Sequence, residues 1–241
     1  MNSARTTRFA LALALAAGLA SGTAQAAPLI IDETCAQSGC FPGDRPGLPV
    51  EIEQPGSYRL VSNLQLTRRD PHGIVIISPN VHLDMEGFAI LGENRCQWTG
   101  ETAECEQPNR GSAILVLDEA ESVSIVNGSI QGIAGSGIHV RGVGARIEDI
   151  MVREVTIDGI SIGGGGGLVA DCLVDRAGRI GFFAPTGGEA TLFSRVVVSR
   201  STAAFNAGAL DNVVARNNGR DIGSLNVIID GSLDGYSAAT P

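Results

Sequence analysis

The sequence predicts an all-β fold, a single-stranded right-handed parallel β-helix (solenoid) of about six rungs of about 22 residues each. Three observations carry that prediction. The strings Gly137-Ile138-His139-Val140, Gly159-Ile160-Ser161-Ile162 and Gly181-Phe182-Phe183-Ala184 follow one another every 22 residues, and such a period marks a stacked repeat. The chain holds 32 glycines and only 4% aromatic residues, with β-branched residues between the glycines, which suits short strands joined by tight turns. No segment sustains a 3.6-residue spacing, and the glycine run from Gly163 to Gly167 would break any helix.

The elements follow in order along the chain. Residues 1–26 read as a secretory signal: Arg5 and Arg8, an apolar stretch from Phe9 to Leu19, then the small-x-small triplet Ala24-Gln25-Ala26. The apolar run is too short to span a bilayer, so the expected mature chain of about 215 residues is exported, periplasmic or extracellular, with no membrane span. Residues 27–64 form an N-terminal capping segment with a turn at Pro55-Gly56 and a strand begun by the alternation Tyr58, Leu60. A stack of strands needs such a cover, because its open end would otherwise recruit another chain.

Residues 65–236 form the solenoid. The repeated string extends to Gly73-Ile74-Val75-Ile76, Ala113-Ile114-Leu115-Val116 and Ala204-Phe205-Asn206-Ala207, with steps of 40, 24, 22, 22 and 23 residues. The long first step exceeds the period by 18 residues, the length of Glu93 to Arg110, so residues 93–110 are an inserted loop. Two further apolar patches recur in each period, as in Val123-Ser124-Ile125 and Ile147 to Val152, giving three short strands per rung and a stack roughly 30 Å tall at about 4.8 Å per rung. Leu225 to Tyr236 make a shorter last rung, and residues 237–241 a loose tail.

Export sets the reading of the five cysteines. In an oxidising compartment Cys35 with Cys40, and Cys96 with Cys105, are the disulfides that proximity favours. Metal ligation competes, but no Cys-x-x-Cys pair and no close His accompany them, and no metal or cofactor is expected. Cys172 is left over in an apolar stretch, a small buried hydrophobe. All 17 basic residues are Arg, and loss of Arg5 and Arg8 takes the net charge from −9 to −11. So acidic a chain excludes nucleic acid and anionic lipid as its main partner.

The run Glu53-Gln54-Pro55-Gly56-Ser57-Tyr58-Arg59-Leu60, with Asn63-Leu64, Gly73-Ile74-Val75-Ile76 and the stretch from Asn80 to Ile90, resembles the opening of exported bacterial right-handed β-helix proteins of the pectin lyase-like superfamily. The resemblance covers Glu53 to about Asp234 and speaks for the fold. It implies polysaccharide as the partner class, since members include polysaccharide lyases, glycoside hydrolases and epimerases, beside many proteins of unknown role.

Period-2 alternation assigns the two sides of the repeated strand. Ile74, Ile114, Ile138, Ile160, Phe182 and Phe205 point inward, so Val75, Leu115, His139, Ser161, Phe183 and Asn206 point out, followed by Leu117, Arg141, Gly163 and Pro185. This outward face, where relatives commonly work, is expected to carry no carboxylate. The strings Asn-x-Asp, Asp-Asp and Gly-His-Gly of galacturonan hydrolases are absent, as is the acidic cluster a calcium-dependent lyase needs. What remains is His139 with Arg141, where His could take a proton while Arg steadies the carboxylate of an acidic sugar; an ordinary exposed His and Arg is the competing reading. Asp118 and Asp158 are expected at nearby turns, able to complete a site or simply to bond backbone. Asp70-Pro71-His72-Gly73 resembles the Asp-Pro-His-Asp string of alginate epimerases, with Gly in the fourth position, which makes His72 a further candidate. Trp98, the only Trp, lies on the inserted loop between Cys96 and Cys105 and is expected either to stack on sugar rings or to cover Val75 and Leu115. Asp149 and Asp171 are expected to stack at one turn with Ser194 near them. The missing carboxylates weigh toward a non-catalytic protein. Polysaccharide binding or modification comes first, a structural or adhesive β-helix second, and a uronan lyase or epimerase third.

Overall fold

The computed structural model describes residues 27–107, 111–185, 190–206, 208–222 and 227–233. The expected signal at 1–26, the tail at 237–241 and residues 108–110 of the insertion lie outside them. Apart from a six-residue helix, Glu33–Ser38, the described chain is strands and turns, and the strands form two long parallel sheets. Among the described residues no helix is long and apolar enough to cross a membrane.

Sheet II stacks the repeated strings, including His72–Ile76, Ser112–Val116, Ser136–Val140, Asp158–Ile162, Ile180–Phe183 and Ala203–Asn206. Each pairs in parallel with its counterpart one repeat along, so that Ile74, Ile114, Ile138, Ile160, Phe182 and Phe205 fall in register. These six side chains are at most 1% exposed. Sheet I supplies two more columns in the same way, Leu83, Ile125, Ile147, Val169, Phe193 and Leu210, and then Ile90, Ile130, Val152, Val174, Val198 and Ala215. This is the arrangement of a parallel β solenoid. Its core is built of such apolar columns, Ile76, Val116, Val140 and Ile162 making a further one, with each residue resting on its equivalent in the next repeat, so the 22-residue period is also the packing period.

The N-terminal segment joins the sheets. Leu29–Ile31 pairs with Gly56–Leu60 in sheet I, and Val50–Ile52 pairs with the His72 strand in sheet II. The short helix buries Ala36, the Cys35–Cys40 disulfide ties its end back, and Phe41 meets the Tyr58 ring edge-on at 5.2 Å. Apolar side chains are thereby laid over the start of the core.

One corner of sheet I repeats an unusual backbone. Glu86, Asn127, Asp149, Asp171, Arg195 and Asn212 all have φ between 48° and 58°, a left-handed conformation that costs a non-glycine residue about 1 kcal/mol. Asp149 and Asp171 therefore do share a turn position. The Arg195 guanidinium donates to both carboxylate oxygens of Asp171 at 2.8 and 2.6 Å, and Ser194 donates to Asp211 at 2.8 Å.

The insertion folds as a hairpin, Cys96–Trp98 against Ala103–Cys105, the one antiparallel pairing among the described residues, closed by the Cys96–Cys105 disulfide. It lies along the corner that leads into sheet II. Asn94 donates to the carbonyls of Ile133 and Glu154, Thr156 donates to the carbonyl of Gln107, and the Ala103 N–H reaches Thr202 Oγ1 at 3.1 Å. The partners come from successive repeats, so the hairpin clamps several at once. Cys172 is buried, and burial pushes its thiol up to about 12, which makes it unreactive.

Candidate functional site

The outer face of sheet II contains a groove of about 260 Å³ lined by His72, Ser112, Leu115, Ser136, His139, Arg141, Asp158 and Arg179, among others. Two consecutive inward positions at the start of each strand create it. Gly137 and Gly159 face the core, where an added Cβ would lie 2.6 Å from Val152 Cγ1 and 2.5 Å from Val174 Cγ1 respectively. Ile138 and Ile160 then point inward as well. The residue before each small one is consequently turned outward, which puts His72, Ser112, Ser136 and Asp158 in a column beside Leu115, His139 and Ser161.

That change of parity corrects two expectations. Asp158 does not sit at a turn; it is the first residue of its strand and only 1% exposed. The outward face therefore does carry a carboxylate. Strict alternation counted back from the isoleucines missed it, because a glycine can follow another inward residue without filling space. The signal was present as a polar residue before a small one in His72-Gly73, Ser112-Ala113, Ser136-Gly137 and Asp158-Gly159.

Asp158 is committed to Arg179, a residue the sequence reading did not single out. Arg179 Nε donates to Oδ1 at 2.8 Å and Nη2 donates to Oδ2. The same guanidinium stands 5.4 Å from the centre of the Phe183 ring, so Phe183 is on this face, beneath a cation that is already neutralised. Arg141, the residue after the strand Ser136–Val140 and on the same face as His139, is exposed and makes no ion pair among the described residues.

The two imidazoles are half-buried. His72 accepts a hydrogen bond at Nδ1 from the Ser112 N–H at 3.1 Å, which puts the proton of the neutral ring on Nε2. Burial lowers its pKa below the ordinary imidazole value, opposed by the Ser112 backbone contact and helped by the Arg141 charge. Burial likewise lowers His139, helped by Arg141, Arg179 and His72 and opposed by Asp158. Both rings are therefore neutral at neutral pH, beside an uncommitted arginine. Such a set can receive an anion at Arg141 and a proton at either ring.

The remaining candidates lie apart from the groove. Asp118 belongs to the turn closed by the Ala120 N–H on the Leu117 carbonyl and does not line it. Trp98 is on the clamping hairpin, which packs at Val155, Thr156 and Thr202. It is therefore not laid over Val75 and Leu115, because the hairpin runs toward the C-terminal repeats instead of folding back. Among the described residues no three His, Cys, Asp or Glu side chains converge as metal ligands would. No family model matches the chain, and no curated protein or solved structure matches it either.

Proposed function

We propose that this chain is an exported right-handed parallel β-helix protein of the pectin lyase-like kind that binds an acidic polysaccharide along the outer face of sheet II. The supporting observation is Arg141, a guanidinium without a carboxylate partner among the described residues, standing beside two neutral histidines in a groove. A uronate carboxylate is the planar anion that a guanidinium fork holds best. The Arg179–Asp158 pair lines the same groove and can exchange hydrogen bonds with sugar hydroxyls. The groove spans the strands from His72 to Arg179, roughly 20 Å at about 4.8 Å per strand, room for a few sugar units. Titration calorimetry with oligouronates tests the reading. Binding by the wild type, absent with the corresponding neutral oligosaccharide and weakened by Arg141→Ala, is expected; equal binding of charged and neutral sugars contradicts it.

A second reading, a uronan lyase or epimerase, is favoured by the neutral ring of His139 two residues from Arg141. Arg141 would neutralise the uronate carboxylate and His139 would take the adjacent carbon-bound proton. Elimination then forms a carbon–carbon double bond as the bond to the glycosidic oxygen on the next carbon breaks, that oxygen leaving with a proton from His139 or water. The unsaturated sugar has new ultraviolet absorbance. Epimerisation instead returns a proton to the opposite face of the same carbon and so exchanges it with solvent deuterium. Appearance of either product, lost in His139→Gln, establishes this reading over simple binding.

A further inference from the structure

We infer that the groove on sheet II binds its uronate ligand together with a proton, so that the protein grips acidic glycan more tightly as pH falls through the range of histidine. The inference rests on the binding reading above and adds its regulation. Its basis is the arrangement of charge. His139 is faced by His72 from the strand His72–Ile76, by Arg141 just past the end of its own strand, by Asp158 from the next strand and by Arg179 from the turn that leads into the strand after. Asp158 and Arg179 neutralise each other through two hydrogen bonds. Among the described residues, the one uncompensated full charge near the rings is then Arg141, and it repels a proton from both.

A carboxylate docked on Arg141 reverses that field. It cancels the guanidinium charge and brings a negative group about one residue-pair spacing, roughly 7 Å, from His139. The free rings are held neutral by burial and by Arg141; in the complex the second cause is gone and an attraction replaces it. Between the free and the bound pKa values one proton is taken up per ligand, and affinity then rises up to tenfold for each unit that pH falls. Sugar carboxylates stay ionised over that range, so the ligand itself contributes no proton.

Two measurements on the whole protein test this. Calorimetry of an oligouronate in buffers of different ionisation enthalpy reads the number of protons exchanged, at about pH 7.5 and about pH 5.5. Uptake approaching one proton and an affinity gain of about tenfold are expected, with the slope flattened in the double variant His72→Gln, His139→Gln whatever affinity it keeps. Because that variant can fold poorly, proton NMR of the wild-type histidine rings is recorded with and without ligand. The groove rings should titrate at higher pH in the complex, while the exposed His82 on sheet I does not respond to ligand. Binding without proton exchange, or with release, overturns the inference and leaves the binding reading standing. No binding at either pH overturns both.

Discussion

The corner of sheet I that carries Asp149, Asp171 and Arg195 and the outer face of sheet II that carries His139, Arg141 and Asp158 come from the same repeat and use the same kinds of side chain. They dispose of charge differently. At the corner, Arg195 grips Asp171 from one turn further along, and nearby Arg200 grips Asp175 in the same way. On sheet II the equivalent inter-repeat pair, Arg179 with Asp158, is present too, but among the described residues Arg141 is left without a carboxylate and two imidazoles stand beside it. Pairing between repeats belongs to the scaffold. The surplus on one face is what a ligand can use, since a charge already satisfied by its neighbour has little left to offer.

Breaking the frame common to both regions has the largest expected effect. Gly159→Ala places a Cβ 2.5 Å from both the Gly181 carbonyl oxygen and Val174 Cγ1, and overpacking of that severity costs about 3 kcal/mol, read as a lower midpoint in denaturant. A midpoint unchanged by this substitution means that the strand start does not face the core, and the outward turn of Asp158 loses its explanation. Next comes the contrast between the two acid–arginine pairs. Asp158 is buried while Arg179 reaches solvent, so Asp158→Asn is expected to cost about 1 to 2 kcal/mol. Asp171→Asn, at an exposed pair, should leave the midpoint nearly unmoved at neutral pH. The Arg195 hydrogen bond holds the Asp171 carboxyl below its usual range. Any small support from that pair is therefore present above the ordinary Asp pKa and fades as pH falls through the lowered one.

The histidines supply the smallest effect on folding and its sign is fixed. Their folded pKa values lie below the unfolded value of about 6.5, so the folded protein binds fewer protons than the unfolded chain. Stability is complete above the unfolded pKa and declines as pH falls from there toward the lowered folded values, levelling off below them. Midpoints measured from about pH 8 to about pH 5 should show that decline, and His72→Gln with His139→Gln should flatten it. A decline of equal size in the double variant would assign it to other groups.

The solenoid was legible because its period is a packing period: Ile138 lies on Ile160 and Ile160 on Phe182, and a residue that must match its neighbour one repeat along writes itself into the sequence at that interval. The site was legible in part. His139, Arg141 and His72 stand out by residue type, and all three line the groove. Asp158 was misplaced because a glycine at the strand start breaks the alternation without leaving any trace in hydrophobicity. Arg179 was missed because its role comes from Asp158, 21 residues away, and an arginine in a turn looks like any solvated cation. The direction of the Trp98 hairpin depends on contacts such as Ala103 with Thr202, 99 residues apart, which no local pattern announces.

The central claim is that the uncommitted guanidinium of Arg141 makes the outer face of sheet II an anion-receiving surface. Calorimetric titration of one oligouronate at low salt into wild type, Arg141→Ala and Arg195→Ala tests it most directly. Loss of a charge-assisted contact predicts an affinity weaker by about tenfold or more in Arg141→Ala, with Arg195→Ala matching the wild type. Equal affinities for wild type and Arg141→Ala, or a loss confined to Arg195→Ala, would contradict it.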